Sequence, residues 1–399
     1  MNAQTLLAVV GLALFSRVSA LPEKNTEYVH PSNGICTDYK INNTVSSLNL
    51  IYQYPKFRDN FDVAAHLFNV TQVYRQTPEE GAEGYMPFAP VPQNATATYQ
   101  LAGTFCRPKK EKSGNEKTVL VATHGLGYDR RYWAPSHDPE RYNFVQAMLE
   151  SGYSVFYYDR LGTGQSQKIS GYLNQQSIQV KLLQHLVADI RGGKWTDTVK
   201  AEKIAVVGHS FGSTISAAAV ANTPDFVEGL ILTGYAIPAM NDTLSSRLQT
   251  AIPSIFANRI ATPTYPDRDS GYLMFGDIYA HIETFFHEAD YLRATAEYAH
   301  SISQPAAAGE FLTITLAQSD VELSAAFKGK LWIGTGQRDL IVCSGNCDVP
   351  FRSGAYKEVY KGVQDPRGYV LEGAGHGPNL HLNAQDFFGD IKAFLDRGL

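Results

Sequence analysis

The chain has little cysteine, little charge and no long apolar stretch, and each shortage removes a class of protein. Four cysteines in 399 residues exclude a small domain held together by disulfides in place of a core. Charged residues make up 18% against 44% hydrophobic, the reverse of the composition that keeps a chain disordered. Lys and Arg number 34 against 39 acids, and no basic stripe that could follow a phosphate backbone occurs, so no nucleic-acid partner is expected. No glycine-rich turn ends in G-K-[ST], which leaves no phosphate-binding loop of that kind. No internal repeat is visible. What remains is a globular chain with enough residues for one large core or two ordinary domains.

The first twenty residues run apolar from Leu6 to Phe15 and end in Val18-Ser19-Ala20, the small-residue pattern ahead of a secretory cleavage site. Residues 1–20 are therefore expected to be a signal peptide, although Arg17 follows the apolar run instead of preceding it. The run is too short to span a bilayer, so no stable membrane anchor is expected. Glycosylation acceptors at Asn42, Asn69, Asn94 and Asn241 fit a secreted protein, extracellular or held in the secretory lumen. Cys36, Cys106, Cys343 and Cys347 allow three pairings, and an even count behind a leader favours disulfides over metal. Cys343 and Cys347 close a natural short loop, which leaves Cys36 with Cys106; the competing reading is buried free thiols.

Residues 21–117 are polar and rich in Pro and Asn, and read as an N-terminal extension with an edge hairpin that includes a strand over 99–105. From Thr118 the pattern changes to short apolar runs, each ending in a Gly-containing turn: 119–123, 154–158, 204–207, 229–233, 330–334 and 369–372. Helical stretches over 143–150, 175–191 and 214–221 lie between them. The alternation predicts an α/β fold, a mostly parallel central sheet with helices on both faces. Residues 118–234 form its first half, 235–328 an inserted helical cap and 329–399 its second half. The stretch 236–328 holds eleven acids and five bases. That excess either lines the cleft beneath the cap or forms a solvated outer face.

Gly208-His209-Ser210-Phe211-Gly212 follows the apolar run 204–207 and opens a helix of small residues. Strand, tight turn and helix are what a nucleophilic serine needs, because the strained apex projects the hydroxyl from the sheet edge. Attack on a carbonyl also needs fixed backbone donors for the developing oxyanion. The N–H groups of Leu126, in His124-Gly125-Leu126-Gly127, and of Phe211 are the expected pair; His124 reads as a loop organiser.

With the turn Asp159-Arg160-Leu161-Gly162-Thr163-Gly164-Gln165-Ser166 added, the chain resembles the α/β-hydrolase superfamily from about Thr118 to the C-terminus, in its capped, soluble, serine-nucleophile branch. The family uses that turn mainly as scaffold. The resemblance implies that Asp339, after the run 330–334, orients His376, which lies in Gly373-Ala374-Gly375-His376-Gly377, and that His376 takes the proton from Ser210. Asp365 and Asp320 are the rival acids, and His381 reads as a surface or capping residue. His281, Glu283, His287 and Glu288 lack the H-E-x-x-H spacing and read as a solvated helix face, so neither metal nor cofactor is expected.

The implied activity is a secreted serine hydrolase that cleaves a small-molecule ester or lactone through an acyl-enzyme, similar to extracellular fungal members, some of which process secondary metabolites. Serine at the elbow disfavours the carboxylate chemistry of related epoxide hydrolases and dehalogenases. A proline-iminopeptidase-like exopeptidase is the runner-up, weakened by the His-Gly-Leu-Gly turn and by Phe211 in the elbow. Acyl transfer or a non-hydrolytic rearrangement could use the same residues. A catalytically silent binding protein on the same fold is the non-enzyme alternative, against which the complete Ser210, Asp339 and His376 set speaks.

Overall fold

Successive side chains of a strand point to opposite faces of the sheet, so a strand with no polar position must be covered on both sides. The first six strands are β1 (Gly34–Asn49), β2 (Gln93–Pro108), β3 (Thr118–Thr123), β4 (Ser154–Asp159), β5 (Lys203–His209) and β6 (Gly229–Thr233). Three short ones follow, β7 (Asn258–Ile260), β8 (Tyr272–Phe275) and β9 (Ala306–Ala307), and then β10 (Lys330–Gly336) and β11 (Arg367–Leu371). This computed structural model describes residues 27–75, 87–89, 91–110, 114–237, 258–314 and 324–399. The leader at 1–20 and the acceptor Asn241 lie outside the described residues.

Eight strands form one sheet in the order β1-β2-β4-β3-β5-β6-β10-β11. β2 pairs antiparallel with both β1 and β4, and every other pair is parallel. On β3, Val119 and Val121 join the apolar cluster on one face, while Leu120 and Ala122 join that on the other. Ile204 and Val206 divide from Ala205 and Val207 in the same way, as do Leu331 and Ile333 from Trp332. The helices Gln176–Arg191 and Phe211–Asn222 cover the first face; Phe144–Glu150 and Ala384–Leu395 cover the second. Each Val, Leu or Ile so buried contributes about 1.5–3 kcal/mol relative to exposure.

β1 is an edge and alternates accordingly. Ile41 and Val45 face inward, while Thr44 pairs with Thr98 and Ser46 with Thr96 through exposed hydroxyls 2.7 and 2.6 Å apart. Cys36 stands opposite Cys106 in this register, and both cysteine pairs are at disulfide distance, with Cα atoms 4.1 Å apart for Cys36–Cys106 and 5.0 Å for Cys343–Cys347. Asn42, Asn69 and Asn94 are exposed. The extension holds more than a hairpin: the helix Asn60–Arg75 packs Val63 and Leu67 against Phe57, Tyr172 and Leu273, tying residues before β2 to the insert.

The insert carries the helices Ile278–Phe285, Arg293–Ser301 and Ala308–Thr313. It also holds a small antiparallel sheet, β7-β8-β9, that the sequence pattern does not announce. Its strands have three, four and two residues, too few for a two-residue period to show. Of the eight acids described there, Asp267, Asp277, Glu283, Glu288 and Glu297 are exposed, so among the described residues most of the insert's acids face solvent.

Candidate active site

Ser210 sits between β5 and the helix Phe211–Asn222 with φ 52° and ψ −116°, a conformation L-residues rarely adopt. The strain falls on the serine, and the flanking glycines serve a different need. A Cβ on Gly208 would meet the backbone of Ser213 at 2.4 Å, and one on Gly212 the carbonyl of Thr123 at 2.0 Å. Only glycine lets the turn lie this close to its own helix and to β3. Ser210 N–H donates to Thr233 O at 2.9 Å, which pins the turn to β6.

Asp339 follows β10 and is fully buried. Its Oδ1 accepts from the backbone N–H groups of Ile341 and Val342 at 2.8 and 3.0 Å, and its Oδ2 accepts from Thr335 Oγ1. Burial works to raise this carboxyl, but the nearby His376 and these donors outweigh it and hold Asp339 below the usual carboxylate range. An ionised carboxylate only accepts, so His376 Nδ1–H donates to Asp339 Oδ2 at 2.8 Å. His376 Nε2 then presents its lone pair to Ser210 Oγ, also at 2.8 Å. Residues from the ends of three parallel strands thus form one hydrogen-bonded relay.

A Cβ on Gly125 would stand 3.0 Å from that of Ser210, which places the loop His124–Gly127 against the elbow. Among the described residues no acceptor is paired with the backbone N–H of Leu126 or of Phe211. His124 organises this loop. Arg160 N–H donates to its Nε2 at 3.0 Å, so Nδ1–H donates to Gly125 O at 2.8 Å; burial and the Arg160 charge push the imidazole down to about 3.

His381 is not at the surface. Fully buried, it accepts at Nε2 from Gly375 N–H at 2.9 Å and donates from Nδ1 to Gly377 O at 2.9 Å, clamping the loop that carries His376. Burial pushes it down to about 4. Its place three residues before the last helix suggests exposure; the chain instead turns inward through Pro378–Leu380. His281 is likewise buried, against Tyr128 Oη at 2.9 Å and His300 Nδ1 at 3.3 Å, while Glu283, His287 and Glu288 are exposed. Asp365 is an exposed turn residue with φ 52°. Asp320 lies outside the described residues.

The sequence model of the alpha/beta hydrolase family matches residues 119–389. The chain belongs to that family. Monoglyceride lipase of Rattus norvegicus is 27% identical over 198 residues, covering 47% of this hydrolase and 57% of the lipase. The match thus spans little more than half the length of that relative. Among solved structures, a thermophilic esterase from Thermogutta terrifontis superposes with a TM-score of 0.51 at 19% identity, covering 75% of this chain and 94% of the esterase. An esterase from Exiguobacterium antarcticum gives 0.50 at 14% identity, covering 75% and 96%. These two share the hydrolase fold.

In this alpha/beta hydrolase, Ser210 and His376 line a cavity that opens to solvent. Its walls are apolar: Leu126 from the loop, Leu273 and Phe275 from β8, Phe285, and Phe311 and Leu312 from the insert. No charged residue is among the described residues that line it. Leu67 and His66 reach it from the extension, and burial pushes His66 down to about 4, so it is neutral there. Neither residue could be placed by motif, because the contact depends on how a helix before β2 docks on the insert.

Proposed function

We propose that this hydrolase is a serine hydrolase that cleaves a neutral carboxylic ester or lactone through an acyl-enzyme. The observation that carries this reading is the Asp339–His376–Ser210 relay, which opens onto a cavity with apolar walls. His376 takes the Ser210 proton as Oγ attacks the carbonyl and returns it to the leaving alcohol; Asp339 holds the imidazole tautomer and stabilises its charged form. Leu126 and Phe211 N–H are the oxyanion donors. Water then repeats the cycle on the acyl-enzyme, with His376 as the base.

An exopeptidase would need an anion to hold the substrate ammonium, and no carboxylate is among the described residues lining the cavity. The two cysteine pairs and the exposed acceptors Asn42, Asn69 and Asn94 support a secreted protein, which a glycosidase-dependent mass shift of the natural product would test. The enzymatic reading is tested by labelling with a fluorophosphonate. Modification at Ser210, absent in Ser210→Ala, is expected; an unlabelled wild-type protein would remove it.

A further inference from the structure

Segments distant in sequence meet at one buried guanidinium. Arg160, in the turn after β4, donates from Nε to His124 O at 3.0 Å, from Nη2 to Gly125 O at 3.3 Å and from Nη1 to the carboxylate of Glu310. Its Cζ lies 4.8 Å from the centre of the Phe211 ring. Glu310 stands on the helix Ala308–Thr313, is 1% exposed and also accepts from Gln179 Nε2 at 2.7 Å. The next residues, Phe311 and Leu312, form cavity wall beside Ser210.

An ion pair this deep adds little net stability over an apolar pair of the same size, because desolvating both charges offsets their attraction. Its directional contacts are what an apolar pair cannot supply. Gly125 C=O and Leu126 N–H belong to one planar trans peptide and point opposite ways. Two donors, Arg160 Nη2 and His124 Nδ1, fix the Gly125 oxygen and therefore fix where Leu126 N–H points. The other expected donor belongs to Phe211, whose ring Arg160 covers.

Building on the serine-hydrolase reading, we propose that Arg160 and Glu310 are positioning residues that couple the seat of the insert to the oxyanion site: Glu310 holds the cavity-wall helix on Arg160, and Arg160 sets the 125–126 peptide plane. The seating of the helix that meets the substrate and the aim of the donor that meets its oxyanion then depend on one contact. Neither residue touches the reacting atoms.

Two variants decide it: Glu310→Gln, which keeps the shape and removes the counter-charge, and the double variant Arg160→Met with Glu310→Met, which removes both charges. In the variants that fold, kcat for a neutral ester should fall at least about tenfold, with complete loss of an oxyanion donor, worth about 10²–10³-fold, as the ceiling, while KM stays within about twofold. Affinity for a trifluoromethyl ketone, which forms a tetrahedral adduct, should fall by the same factor. A folded variant with wild-type kcat, or one in which kcat loss only follows lost thermal stability, overturns the proposal. So does failure of both variants to fold, which would make the pair a determinant of folding alone. A wild-type protein unlabelled by fluorophosphonate would instead defeat the underlying reading, whereas labelled wild type beside a fully active Glu310→Gln defeats only the coupling.

Discussion

Gly212 lies so close beneath Thr123 that a Cβ on it would stand 2.0 Å from the Thr123 carbonyl oxygen. The contact joins the first turn of the Ser210 helix to the end of β3, where the loop His124–Gly127 begins. Backbone cannot swing aside as a flexible side chain can. Gly212→Ala is therefore expected to destabilise by about 1–3 kcal/mol or more and to slow fluorophosphonate labelling of Ser210. Thermal melts and labelling rates check this; wild-type values for both would show that the turn can open at no cost.

The two candidate acids differ in surroundings, and their amides should differ in consequence. Asp339→Asn exchanges a buried acceptor facing His376 Nδ1–H for a group that can offer a donor, and kcat should fall on the order of 10³–10⁴-fold. Asp365 is exposed in a left-handed turn that Asn tolerates, so Asp365→Asn should leave turnover within about twofold. Steady-state kinetics of the pair decide between them, and the reverse ranking would reassign the acid.

Substrate charge is the third test. Among the described residues the insert's acids mostly face solvent and the cavity lining is apolar, so the cost of an anionic acyl group is expected to be desolvation and not repulsion. Matched aryl esters with a neutral and a carboxylate-bearing acyl chain should show kcat/KM at least about tenfold higher for the neutral one, given the cost of an uncompensated buried polar group. Added salt should not close the gap, because screening acts on exposed charge. Recovery of the anionic ester at high salt would instead place the acidic face at the cavity mouth.

Acid should unfold the protein well above carboxylate pKa values. Burial pushes His124 down to about 3 and His66 and His381 to about 4, whereas unfolded histidines titrate near 6.5. Below that value the unfolded chain binds protons that the folded chain refuses, so stability falls from pH 6.5 toward 4, by up to about 1.4 kcal/mol per pH unit for each histidine. Asp339, held below the usual range, adds a loss in the same direction at still lower pH. Melting temperatures measured from pH 7.5 to 4.5 should drop steadily; a flat profile would mean that these imidazoles accept protons in place.

Much of the site is legible in the sequence because its constraints are local. The elbow must be strand, strained residue and helix within a few positions, and Gly208, Ser210 and Gly212 record that in five consecutive letters. The sheet is legible for a similar reason: strands buried on both faces leave unbroken apolar runs, and the Gly-containing turns after β3, β5 and β10 mark their carboxyl ends. Asp339 and His376 were approachable only through the order in which such turns occur along the chain.

Packing between distant segments decided the rest. His381 and His281 look like surface polar residues in their local sequence, yet both are buried, because a histidine's fate depends on which backbone groups another segment brings to it. Leu67 and His66 enter the cavity from before β2, and Glu310 finds Arg160 across 150 residues. No periodicity encodes such contacts: a helix face predicts that a residue is covered, not by what. Sequence alone therefore determined the sheet, the strained Ser210 turn and the chain order of Ser210, Asp339 and His376, whose positions are set by neighbours along the chain. Only the tertiary structure decided the apolar cavity and the Arg160–Glu310 pair behind the loop His124–Gly127, since both exist only where surfaces far apart in sequence are pressed together.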